Sequence, residues 1–165
     1  MIFRSILYFS IVAVLASACY TLNGISIPDN ISTYYVDNFD LKARNAPPLI
    51  NQTFTELLKN KINQQTKLVA NDTDPDVEFK GDVNRFDLEQ LAPTRDQESS
   101  LNRLKVAISV EYINHRNEDL SWKQTFSQNF DFSPDQDLLS IQDQAIDDIY
   151  EQIIEQIFNK TFADW

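Results

Sequence analysis

"LKVAISVEYINHRNEDLSWKQTFSQNFDF", residues 104–132, decides the fold. Leu104, Val106, Ile108, Val110 and Tyr112 alternate with Lys105, Ala107, Ser109 and Glu111. A period of two puts the first set on one face of a strand and the second set on the other. "HRNED" then turns the chain. Trp122, Phe126, Phe130 and Phe132 mark a second long strand, with Lys123, Thr125, Ser127, Asn129 and Asp131 opposite. Two such runs joined by a polar turn predict an antiparallel hairpin that is apolar on one face only.

Immediately upstream, Val77, Phe79, Gly81 and Val83 alternate with Glu78, Lys80 and Asp82, after which the apolar set moves to Phe86 and Leu88. That change of register by one residue predicts a β-bulge near Asn84–Arg85. Residues 89–100, "EQLAPTRDQESS", read as a polar loop. Downstream of the hairpin the period changes to that of a helix. Ile141, Ala145, Ile149, Ile153, Ile157 and Phe162 form a stripe that Ile146, Ile154 and Phe158 widen, while Asp147, Asp148, Glu151 and Glu155 take the polar side as a solvated acidic face. Ser140, with Asp143 three residues on, predicts the N-cap. A helix over 140–161 would reach ~33 Å at 1.5 Å per residue, enough to cross a whole sheet.

Further upstream, Ile50, Phe54, Leu57, Leu58 and Ile62 predict an amphipathic helix of about four turns starting at Leu49. "TKLVAN" after it is a short apolar run leading into the sheet, followed by the "DTDPD" turn. "ISTYYVDNF", residues 31–39, is rich in β-branched and aromatic side chains and reads as a strand, closed by "DLKARNAPP". The order β-α-β-β-β-α predicts an α+β two-layer sandwich. Two amphipathic helices pack on one face of a mostly antiparallel or mixed sheet of four to five strands. The other sheet face carries Lys, Ser, Thr, Asn, Glu and Asp, and no third layer in this chain covers it. Either water or a partner with a polar surface must do so.

Composition narrows the function. The net charge of −11 opposes binding to nucleic acid or anionic headgroups, which reward basic surfaces. Hydrophobic residues at 42% and aromatic residues at 12% are enough for a folded core. Catalytic signatures are missing: the single histidine, His115, lies in a polar turn, and the two glycines, Gly24 and Gly81, cannot build a phosphate-cradling loop. Asp72, Asp74 and Asp76 lack the glycine and the terminal glutamate of a calcium loop and read as a solvated turn. No enzyme activity, no metal and no cofactor are expected.

The N-terminus carries an address. Met1-Ile2-Phe3-Arg4 supplies one positive charge, and Ile6 to Ala18 is an uncharged, largely apolar run of thirteen residues. That length suits a secretory signal and falls short of the ~20 residues that span a bilayer. Ala16-Ser17-Ala18 then precede Cys19, the chain's one cysteine. The pattern resembles a bacterial lipobox, with Leu15 one place further upstream than the commonest arrangement. It divides the chain into a lipoprotein signal peptide over 1–18, a tether over 19–30 and a single α+β domain over 31–165. Cys19 would carry acyl chains such as palmitate, and two or three of them anchor stably at about 0.8 kcal/mol per buried CH2. The alternatives are a small buried cysteine behind an ordinary signal peptide, or an uncleaved anchor. Tyr20-Thr21-Leu22-Asn23-Gly24 holds no acidic cluster, which, taken with the family resemblance given next, implies a periplasm-facing position rather than surface display.

"NAPPLINQTFTELLKNKINQQTKLV", "VEFKGDV", "NRLKVAISVEYIN" and "IIEQIFNKTFADW" together resemble the LptE family of outer-membrane lipoproteins, in its Bacteroidetes form. The resemblance extends over essentially the entire mature chain. It implies a non-enzymatic role as plug and assembly partner of the β-barrel LptD, in lipopolysaccharide transport to the outer leaflet. It also implies contact with lipopolysaccharide itself, which needs Lys or Arg against phosphate. The densest basic set here is Arg85, Arg95, Arg103 and Lys105, beside the 89–100 loop. These are ligand-binding candidates, with ordinary solubilising charges as the alternative. Two other classes compete. One is a free-standing periplasmic binding or assembly lipoprotein, marked by a ligand pocket; the other is an envelope hydrolase, marked by a deep cleft with a perturbed ionisable pair.

Overall fold

A computed structural model describes residues 27–93 and 100–163. The signal region, Cys19, the first part of the tether and Arg95 lie outside the described residues. A mixed sheet is built from β1 (Thr33–Val36), β2 (Asp40–Leu41), β3 (Val69–Ala70), β4 (Val77–Leu91), β5 (Leu101–Asn114) and β6 (Trp122–Phe132). Two helices, α1 (Ile50–Gln65) and α2 (Leu138–Phe162), cover one face. The strand order is β3-β1-β4-β5-β6, with β2 beside β4 further along the β1 edge. Pairings among β1, β2, β3 and β4 are parallel; β4–β5 and β5–β6 are antiparallel. No helix of the described residues is long and apolar enough to cross a membrane.

The expected α+β sandwich is present, with six strands rather than four or five. The additional strands are two-residue pieces. One, β3, is the "TKLVAN" run. The other arises because the strand expected over 31–39 is broken. Val36 faces Phe79 but Asp40 faces Asp82, so the first strand holds one residue more than β4 in that interval. Helix α1 holds the kink: the Phe39 N–H donates to Thr55 Oγ1 (3.2 Å), and its carbonyl accepts from Asn51 Nδ2 (2.7 Å). The Phe39 ring turns into the core against Phe54, 4.9 Å between centroids. Gly81 makes room for it, since a Cβ there would meet the Phe39 ring at 2.8 Å and collide with the Ser109 carbonyl.

The apolar face of the hairpin is the floor of the core. Leu104, Val106, Ile108, Val110 and Tyr112 are all buried beneath α2, whose Ile149, Ile153 and Ile157 are fully buried. Rings connect the layers: Phe54 on α1 meets Tyr150 on α2 edge-on at 5.2 Å, and the Tyr150 hydroxyl donates to the Ile50 carbonyl. The bulge expected at Asn84–Arg85 is present between Val83 and Arg85. The polar loop after β4 is shorter than expected, because Glu89, Gln90 and Leu91 pair with Arg103, Asn102 and Leu101. Helix α2 begins earlier than Ser140. Asp137 caps it by accepting from the Leu139 N–H, and Ser140 Oγ donates to the Asp137 carbonyl instead.

Asp76 departs from the solvated turn expected over 72–76. Its carboxylate is buried and gathers three segments. Oδ2 accepts from the Ser32 N–H (2.7 Å), the Ser32 hydroxyl (3.0 Å) and the Thr33 N–H (2.9 Å), while Oδ1 accepts from Arg116 Nε (2.5 Å). Burial alone would raise its pKa, but these donors outweigh it and hold the carboxyl below the usual carboxylate range.

Candidate functional site

Among the described residues the helices leave the second sheet face uncovered, and the pleat sends most polar residues of the hairpin onto it, with Gln124 and Gln128 opposite Val110 and Val106 on the helix side. Register arranges these residues in rows across β4, β5 and β6. Lys80 faces Glu111, which faces Lys123. Asp82 faces Ser109 and Thr125; Arg85 faces Ala107 and Ser127; Asp87 faces Lys105 and Asn129; Glu89 faces Arg103 and Asp131.

The rows are hydrogen-bonded. Glu111 accepts from Lys123 Nζ (2.9 Å) and lies 3.8 Å from Lys80 Nζ. Asn84 Nδ2 donates to Ser109 Oγ (2.6 Å), which shares a hydrogen bond with Thr125 Oγ1 (2.9 Å). Arg103 grips Asp131 through Nε (2.6 Å) and the second guanidinium nitrogen (2.7 Å), the bidentate geometry that planar guanidinium favours. These pairs move the pKa values as expected: Lys123 lowers Glu111, and the Arg103 hydrogen bond lowers Asp131. Lys42 from the loop after β2 adds a bond to Asp82 (2.8 Å).

Three of the basic candidates, Arg85, Arg103 and Lys105, come together on this face at its β4–β5 loop end. Carboxylates interleave with them. Arg103 is held by Asp131, Arg85 lies 3.5 Å from Asp87, and Lys105 stands beside Asp87 without an ion pair among the described residues. Five cations and five carboxylates therefore balance across the rows, so this end is hydrogen-bonding rather than strongly positive. The acidic excess lies instead on the helix side, where Asp143, Asp147, Asp148 and Glu151 have no basic partner among the described residues. Among those residues, no three potential metal-ligating side chains gather. A shallow groove of about 480 Å³ lies between α1 and the β3 edge, lined by Tyr34, Tyr35, Asn60, Asn63 and Asn71.

A family model described as LptE, lipopolysaccharide assembly, matches residues 31–161. The chain belongs to the LptE family. The match starts at Ile31, a buried residue, and ends at Thr161 in the last core turn of α2. Membership implies a role in lipopolysaccharide assembly. No curated protein matches the sequence. Among solved structures, the PelC dodecamer from Paraburkholderia phytofirmans is similar at 11% identity and TM-score 0.54, over 84% of this LptE-family chain and 95% of that one. Hypothetical protein CT253 from Chlamydia trachomatis is similar at 6% identity and TM-score 0.52, over 79% and 98%. Protein XCC0632 from Xanthomonas campestris follows at 13% and 0.50, over 81% and 82%. At these identities the likeness is one of fold alone.

Sequence reasoning located the open face through the alternation in β5 and β6. It missed the charge balance, which depends on cross-strand register, and it missed the burial of Asp76. The one signal for the latter was the proline before it, which fixes the turn that delivers Asp76 to the start of β4.

Proposed function

We propose that this chain is anchored in the outer membrane through acylated Cys19, faces the periplasm, and acts as plug and assembly partner of an LptD-like β-barrel that carries lipopolysaccharide to the outer leaflet. The observation that carries this reading is the open sheet face. It spans three long strands, has no covering layer among the described residues, and presents hydroxyls, amides and balanced charge. Large barrels have polar, hydrated interiors, so a face of this chemistry is complementary to a lumen wall. An apolar face would demand burial and a basic face would demand a polyanion. Lipopolysaccharide phosphate is assigned to Arg85, Arg103 and Lys105 on this face, with Arg95 in the sequence between β4 and β5; of the three on the face, Lys105 has no ion-paired carboxylate to displace among the described residues.

The test is purification of a C-terminally tagged chain from detergent-solubilised outer membranes, beside Cys19→Ser and Ala107→Trp variants. Ala107 lies at the middle of the open face between Arg85 and Ser127, so a large ring there obstructs docking on the side of the sheet away from the helices. A large β-barrel in near-equal amount with the unaltered chain, reduced with Ala107→Trp, supports the reading. An acylated, correctly located chain that arrives alone refutes it. That result would favour a free-standing binding module, with the amide-lined groove beside α1 as its place to bind.

A further inference from the structure

Strand β6 is a sheet edge without the devices that usually blunt one. It pairs with β5 over eleven consecutive residues, Trp122 to Phe132, with no bulge, no proline and only Lys123 and Asp131 as charges. Its outward residues are otherwise Thr, Ser and Asn. Such an edge is a template for another strand.

The register identifies which strand fits. We propose that β6 pairs antiparallel with β6 of a second copy of this chain, about a two-fold axis through Ser127. Ser127 is the midpoint of the strand, so this register overlaps all eleven residues. It places Lys123 opposite Asp131 of the other copy, Thr125 opposite Asn129, and Trp122 opposite Phe132. Parity is conserved, so the open faces of both copies lie on the same side and the helices on the other.

The charge order decides the argument. Within one chain, Glu89, Arg103 and Asp131 form one row and Lys123, Glu111 and Lys80 form another. The two-fold joins them into a single row of six charges that alternate in sign without a fault. Opposite charges directly across strands stabilise and like charges destabilise, so a strand of unrelated sequence would match such an order only by accident. The helix layer permits the approach. Lys160 lies over the Trp122 ring at 5.5 Å and so marks the flank of α2 nearest the edge. Gln156 and Gln152 stand one and two turns before it on that flank, uncharged. Pairing leaves the open face free and does not depend on the barrel reading.

Register-specific cross-linking tests this on the full chain in a Cys19→Ser background, where an introduced thiol is the only one. Ser127→Cys should oxidise to a covalent dimer, because residues opposite each other across a strand pair lie within disulfide reach. Thr125→Cys alone and Asn129→Cys alone should give no covalent dimer, while their mixture should cross-link. In the unaltered chain, native mass spectrometry should show a dimer. Lys123→Asp should weaken it at least tenfold, and Ser127→Glu, which sets two like charges across the two-fold without removing an ion pair within the chain, should weaken it as much. A monomer at micromolar concentration with no Ser127→Cys product overturns the proposal. So does equal cross-linking at all three positions, which is collision rather than register. A circular dichroism spectrum matching the unaltered chain is required of every variant, and Ser127→Glu keeps the test valid if Lys123→Asp unfolds.

Discussion

Replacing Asp76 by asparagine should cost the fold about 2–3 kcal/mol, the sum of weakened charged hydrogen bonds at a buried site. The amide has one oxygen where the carboxylate has two. Turned toward Ser32 and Thr33, it still accepts their two N–H groups, but as a neutral acceptor, losing about 1 kcal/mol at each. Its NH2 then faces the Arg116 guanidinium, donor against donor, and the 2.5 Å bond there is lost. Arg116 has a side chain 48% exposed, so it swings into water at small cost. For that reason Arg116→Gln should lower stability by no more than about 1 kcal/mol, whereas Asp76→Ala, which strands every donor, should cost about 3–5 kcal/mol. Urea unfolding followed by far-UV circular dichroism reads this directly. With a slope of about 2 kcal/mol/M, the midpoint of Asp76→Asn should fall by about 1–1.5 M. Acid adds a second criterion. The folded carboxyl titrates below its unfolded value of about 3.9, so its contribution is complete above that pH and is lost as the pH falls toward the folded value. The unaltered chain should therefore weaken on acidification below about pH 4 and converge on the asparagine variant. Equal midpoints at neutral pH, or parallel acid curves, would refute the clamp.

Gly81→Ala should destabilise by at least about 1–3 kcal/mol in a thermal melt, because the new methyl group must displace both the Ser109 carbonyl and the Phe39 ring. Leu49, the N-cap residue before α1, stands at φ 73°, in the left-handed region; Leu49→Asn should raise stability by about 1 kcal/mol in urea, with no gain if the conformation carries no strain. Phe54→Ala empties the ring contact between Phe39 and Tyr150 and should cost about 3–5 kcal/mol, read as a lower urea midpoint. Burial pushes the Tyr112 hydroxyl up to about 12, against a smaller lowering by Asn114. In absorbance titration it should keep its proton through pH 10–11, where an unfolded tyrosine of pKa about 10 loses it. The corresponding stability is present below about pH 10 and lost as the pH rises toward 12.

The two-layer arrangement was legible because its periodicities are strong. Five alternating residues from Leu104 to Tyr112 and the isoleucine stripe of α2 each require one buried side, and they found each other. What could not be read is set by long-range contact. The break at Phe39 is invisible locally: the residues from Ile31 read as one strand, and only Thr55 and Asn51 on α1 make the kink worth adopting. The helix start at Asp137 rather than Ser140 is a competition between two adjacent caps, settled by which side chain reaches the free N–H groups. At the candidate site, the cluster Arg85, Arg103 and Lys105 was visible as basic residues close in sequence. Asp131, which occupies Arg103, is 28 residues away and enters only through the hairpin register.

Among the described residues, the balance of charge on the open face, set against the acids of α2 that lack a basic partner, makes the two sides of the sheet electrically unequal, as in a dipole roughly normal to it. Beside a negatively charged bilayer such a dipole feels a torque as well as a repulsion: the helix side is pushed away and the open face turns toward the surface. The effect is confined to about 8 Å at physiological ionic strength, so it acts only on a molecule already held close. For a protein on a short tether, orientation would thus be selected by the field before any specific contact forms. Raising the salt concentration would scramble that orientation without altering the fold.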